Sequence, residues 1–75
     1  MLYDKLKQKE NQIKELTDLG LINPVWLRNI EIYEMYCEEI KQTGKVYESY
    51  HAVAMNSKPK ISWQSVRKIV QDLSN

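Results

Sequence analysis

The sequence predicts an all-α protein, a small four-helix domain formed by residues 1–75. Apolar residues recur at steps of three and four along most of the chain, which is the period of a helix that buries one face. The two glycines and two prolines lie between these periodic segments, where helices end or begin. A chain of this length has room for one hydrophobic core, so all the helices must share it.

Residues 1–20 form a predicted amphipathic N-terminal helix. Lys, Gln and Glu, which favour helix, surround its apolar stripe. The stripe consists of Leu2, Leu6, Ile13, Leu16 and Leu19. Lys9 interrupts it, so the sustained heptads of a long coiled coil are missing. Gly20 can end the helix in a left-handed conformation.

The second predicted helix covers residues 24–42. Asn23 can cap it, Pro24 suits its first position, and Gly44 supplies the stop. The predicted inward face consists of Leu27, Ile30, Tyr33, Cys37 and Ile40. Cys37 is the only cysteine, so we interpret it as a core residue without an internal disulfide partner.

The residues that could act in catalysis or bind a metal do not form a catalytic or metal-binding pattern. The second helix carries Glu31, Glu34, Glu38 and Glu39, which we interpret as a solvated acidic face because no second cluster of ligands accompanies them. His51 is the only histidine, with no nucleophile signature or glycine-rich phosphate loop nearby. We therefore expect no enzymatic activity, no metal and no cofactor.

Residues 46–73 predict two short helices separated by a polar turn. The apolar residues Val46, Tyr50, Val53 and Ala54 have helical spacing, and Pro59 forces a break after them. Ser62 can cap the last helix, which extends to about Leu73. Its apolar face consists of Val66, Ile69, Val70 and Leu73.

This C-terminal half has the order of features that a helix-turn-helix requires. Ala54 is small enough for a close helix crossing, Ile61 can close the turn, and Ser62 caps the second helix. Val66 and Ile69 provide two anchors three residues apart. Residues 46–73 therefore resemble the helix-turn-helix superfamily of DNA-binding proteins, with a turn about two residues longer than usual and without glycine.

The resemblance implies that the exposed side of helix 62–73 enters the major groove of duplex DNA. Gln64 can bond to adenine and Arg67 to guanine, while Ser65 and Lys68 are placed to touch bases or phosphates. Trp63 either packs against the DNA backbone or folds back onto the preceding helix. The complete set of predicted DNA-binding residues is Lys58, Lys60, Trp63, Gln64, Ser65, Arg67, Lys68 and Gln71.

The charge distribution agrees with this interpretation. Residues 1–44 carry six Lys or Arg and eight Asp or Glu, a balance of −2, whereas residues 45–75 carry five and two, a balance of +3. Positive charge is what phosphate contacts require, and Lys58 and Lys60 in the turn can supply it. We therefore predict a small DNA-binding protein, a transcriptional regulator or a phage or bacterial accessory factor.

Two further expectations concern partners and location. The alternative function is a protein-interaction module or inhibitor that docks through its amphipathic or acidic helices, and helix 1–19 is also a candidate surface for a homodimer. No apolar stretch approaches the roughly 18 residues of a membrane span, and the N-terminus lacks the apolar block of a signal peptide. We expect a cytoplasmic protein that makes no contact with membranes.

Overall fold

The computed structural model describes residues 1–75 and contains five α-helices and no strand. The helices are α1 (Leu2–Gln8), α2 (Glu10–Asp18), α3 (Val25–Thr43), α4 (Val46–Asn56) and α5 (Trp63–Leu73). The prediction of an all-α protein is confirmed. The predicted number of four helices is wrong, because the N-terminal segment forms two helices.

The predicted helix 1–20 is divided at Lys9, whose φ of −104° and ψ of 13° leave the helical region. Lys9 N–H donates to the carbonyl of Leu6 at 3.1 Å, which tightens the last turn of α1. α1 then contacts both α3 and α5, whereas α2 contacts only α1 and α3. The break thus lets both halves of the segment lie against α3.

The core lies between α3, α4 and α5, each of which packs against the other two. Its buried cluster comprises Ile32, Tyr33, Tyr50, Val53, Ala54, Val66, Val70 and Leu73. Tyr3 and Leu6 of α1 are half-buried against this cluster. Three helices from the C-terminal part of the chain therefore form the centre, and α1 covers one side of it.

α3 is buried on more of its circumference than a single apolar face predicts. Of the predicted inward positions, Ile30 and Tyr33 are buried, whereas Leu27, Cys37 and Ile40 are half-buried. Ile32, which was not predicted, is only 2% exposed. α3 packs on α1 and α2 as well as on α4 and α5, so residues on different sides of this helix lose contact with water.

The ends of α3 follow the signals in the sequence. Asn23 Oδ1 accepts a hydrogen bond from the backbone N–H of Val25 at 3.0 Å, which satisfies one free amide of the first turn. Gly44 ends the helix with a φ of +67°, and its N–H donates to the carbonyl of Ile40. Positive φ favours glycine, since a Cβ is strained there.

α1 is attached to α3 through Glu34. Tyr3 Oη donates to Glu34 Oε2 at 3.0 Å, and Lys7 Nζ lies 3.2 Å from the same oxygen. Lys7 also pairs with Glu10 at 2.8 Å, across the break between α1 and α2. The interpretation of a fully solvated acidic face is therefore wrong for Glu34, because α1 covers it and uses it as an acceptor.

None of the five helices combines the length and the apolarity that crossing a lipid bilayer would need.

Candidate nucleic-acid interface

The exposed face of α5 is a polar stripe with helical spacing. Gln64, Arg67, Lys68 and Gln71 are exposed along it, together with the carboxylate of Asp72 one turn after Lys68. Because their positions differ by three and four residues, they lie above one another on one side of the helix. The structure thus brings together four of the eight residues predicted to bind DNA, and we name these four the α5 stripe.

The opposite face of α5 is fixed in the core. Val66, Val70 and Leu73 are at most 6% exposed, and Ile69 is half-buried against the same cluster. Ile61 also packs on the core from the preceding turn. The helix therefore has no freedom to rotate about its axis without exposing apolar surface, which holds the α5 stripe toward solvent.

Ser62 starts α5 as the sequence predicts. Its Oγ accepts a hydrogen bond from the backbone N–H of Ser65 at 3.2 Å. The hydroxyls of Ser62 and Ser65 lie 3.0 Å apart, so Ser65 is engaged in the same cap. Ser65 is exposed at the start of the helix, but its hydroxyl already has a partner within the protein.

Four cations lie on α5 and in the turn before it, and none of them forms a salt bridge. They are Arg67, Lys68, Lys58 and Lys60, all of which are exposed. Lys45, by contrast, lies 3.6 Å from Glu48. Cations without a carboxylate partner retain their full attraction for an anionic ligand.

Trp63 folds back onto α4. Its ring lies edge-on to Tyr47 at a centroid distance of 5.6 Å and next to His51 at 5.4 Å. Trp63 is half-buried, whereas Tyr47 and His51 are exposed. The aromatic group therefore joins the N-terminal end of α5 to α4, and Tyr47 and His51 border the start of the α5 stripe.

The turn between α4 and α5 is held by a buried serine that sequence analysis did not single out. Ser57 is 6% exposed, and its Oγ lies 3.2 Å from the carbonyl oxygen of Ala54 and 3.1 Å from that of Pro59. The Lys58–Pro59 peptide bond is cis. The two hydrogen bonds of Ser57 hold the turn, which carries Lys58 and Lys60 at its surface.

An open cleft of about 220 Å³ lies between this turn and α3. Arg28 and Glu31 of α3 line it together with Lys58 of the turn, above the apolar side chains of Ile32 and Met35. Arg28 was not among the predicted DNA-binding residues, because it is 30 positions from Lys58 in the sequence and only the packing of α3 brings it close. Glu31 in the same cleft offsets part of this positive charge.

Comparison of the chain with protein-family models, with curated proteins and with solved structures found no match.

Proposed function

We propose that this protein is a small helix-turn-helix DNA-binding protein, a regulator or accessory factor without enzymatic activity, that places α5 in the major groove of duplex DNA. The α5 stripe carries the proposal, since its two cations have no carboxylate partner and it stands opposite a buried face. The major groove of duplex DNA is wide enough to admit an α-helix such as α5.

Some residues of this surface would contact bases, and others would contact phosphates. Gln64 and Arg67 lie near the start of α5, where recognition helices meet base edges, and their side chains can bond bidentately to adenine and guanine. Lys68 and the turn residues Lys58 and Lys60 suit phosphate oxygens, which position a protein without reading sequence. Gln71 extends the same face one turn further along the groove.

The experiment measures binding of a fluorescently labelled mixed-sequence duplex by anisotropy, at about 50 mM and about 200 mM salt. The double variant Arg67→Ala/Lys68→Ala should weaken binding at low salt by about tenfold or more, because the two lost positive charges no longer displace counterions from the DNA. The slope of log K against log salt should become shallower by about 1 to 2.

The matched control is Lys5→Ala/Lys14→Ala, which removes two positive charges from exposed residues of α1 and α2 that form no salt bridge. This variant should bind with nearly the affinity of the unmodified protein. The proposal is wrong if the protein does not bind duplex DNA at low salt, or if the control weakens binding as much as the loss of Arg67 and Lys68.

A further inference from the structure

Exposed apolar side chains are concentrated at the corner between α2 and α3. Five of the nine large apolar residues that the protein exposes lie within residues 16–26. They are Leu16, Leu19, Leu21, Val25 and Trp26, which we name the corner patch. Leu19 and Leu21 are 66% and 68% exposed. Single exposed apolar residues are normal on protein surfaces, whereas a group of five in one short segment is a feature of interaction sites.

The backbone holds the corner patch in a defined shape. Gly20 follows α2 with a φ of +75°, and its N–H donates to the carbonyl of Thr17 at 3.0 Å. Leu21 N–H donates to the carbonyl of Leu16 at 2.9 Å. These two bonds form a Schellman motif, in which the residues at the positions of Leu16 and Leu21 frequently make a hydrophobic contact. The exposed leucines therefore belong to a structured helix end.

Apart from Leu16, the apolar residues of α1 and α2 are half-buried within the protein. Tyr3 and Leu6 of α1 pack on the core, and Ile13 and Thr17 of α2 are half-buried. A homodimer through the whole of helix 1–19, which the sequence suggested, would have to compete with the packing of α1 in the core. The end of α2 and the start of α3 are not used in this way.

The charges that α2 exposes beside the corner patch are of both signs, which is compatible with a second copy as the partner. Lys9, Lys14, Glu15 and Asp18 are exposed on or beside α2, and none of them forms a salt bridge. The segment that leads into the corner patch thus exposes two positive and two negative charges, so two copies related by a two-fold axis can place opposite charges together. A surface with one sign of charge would instead repel its own copy.

We propose that the corner patch is a self-association surface that a second copy of this chain covers. Its five side chains expose roughly 300–400 Å² of apolar area, about half of what one partner contributes to a standard interface. The dimer is therefore weak and depends on protein concentration. The part of the patch on α2 lies apart from the α5 stripe, since α2 contacts neither α4 nor α5.

The test is the mass in solution, measured by analytical ultracentrifugation without DNA between about 10 μM and about 1 mM protein. The mass of the unmodified protein should rise with concentration from 8.9 kDa toward twice that value. Leu19→Lys should keep the mass at that of the monomer throughout, because a charge at the centre of the patch must be desolvated on association. Circular dichroism should show the helix content unchanged, since Leu19 is 66% exposed.

Met55→Lys is the matched control, because Met55 is a large apolar residue of α4 with 65% exposure. This variant should associate as the unmodified protein does. A mass that stays monomeric at every concentration overturns the proposal. An association that Leu19→Lys leaves intact, or that Met55→Lys abolishes as fully as Leu19→Lys does, also overturns it. Neither result bears on binding of DNA by the α5 stripe.

Discussion

Tyr3 connects the N-terminal helix to the core through both parts of its side chain. Its ring stacks on that of Tyr33 at a centroid distance of 4.5 Å, and its hydroxyl donates to Glu34. Burial, together with the hydrogen bond to Glu34, raises the pKa of Tyr3 above its usual value. Burial also raises the pKa of Tyr33 and of Tyr36. The folded state therefore favours the neutral phenol at three positions.

These shifts predict that stability falls at alkaline pH. The three phenols ionise near pH 10.0 in the unfolded chain and at higher pH in the folded protein, so the unfolded state loses protons first. Their contribution is complete below about pH 10 and is lost as the pH rises through the folded values. Hydrogen bonds, first to Glu10 and then to Glu34, raise the pKa of Lys7. Deprotonation of Lys7 therefore also lowers the stability of the folded protein as the pH rises.

Urea unfolding at several pH values between about 8 and about 11 measures this loss, and phenolate absorbance reports ionisation directly. Tyr3→Phe keeps the ring but removes the ionisable hydroxyl, so its stability should decline less steeply above about pH 10. Equal alkaline slopes for the variant and the unmodified protein would show that Tyr3 contributes nothing to the effect.

At the scale of elements, α5 depends on a capping residue at its start and on an apolar face along its length. Ser62 satisfies the free N–H of Ser65, and the apolar face is buried by α3 and α4. The sequence predicts both, since a cap and a period of 3.6 residues are local patterns. The break at Lys9 is not predictable in this way, because α1 bends to meet α3 and α5, which lie far along the chain.

Removing the cap of α5 should destabilise the protein modestly. Ser62→Ala leaves the Ser65 amide without its acceptor and should lower the free energy of unfolding by about 1 kcal/mol, which corresponds to a fall of roughly 4–8 °C in Tm. Thermal unfolding followed by circular dichroism measures it. Gln71→Ala is the control, because Gln71 is exposed within the same helix. Equal effects of the two changes would argue against a role for the cap.

At the scale of the whole molecule, stability depends on a small shared core. Leu73, which is 1% exposed, lies in the buried cluster that α3, α4 and α5 form. A chain of this length has a free energy of unfolding of about 4–11 kcal/mol. A single large cavity therefore affects every helix, because no second core compensates for it.

Leu73→Ala should lower the free energy of unfolding by about 2–5 kcal/mol, from lost burial and the cavity left behind. Urea unfolding at a protein concentration below self-association measures it. Leu19→Ala, at a residue that is 66% exposed, should change stability by less than about 0.5 kcal/mol. A loss of stability from Leu73→Ala no larger than that of the control would contradict the assignment of Leu73 to the core.

The sequence by itself determined the all-α class, the ends of α3 and the exposure of the α5 stripe. Each depends on residues within a turn or two of one another: Asn23 caps Val25, Gly44 follows the last turn, and polar residues oppose the buried face of α5. Such local patterns are visible in a sequence because helical geometry fixes which neighbours share a face.

Only the tertiary structure decided which faces meet. Tyr3 and Glu34 are 31 residues apart, and nothing in the sequence pairs them. Ile32 is buried because α3 packs on two sides, Trp63 folds onto α4, and Arg28 reaches the cleft beside Lys58. The physical reason is that the burial of a side chain depends on the packing of whole helices. That packing is set by the sum of many weak contacts between distant segments.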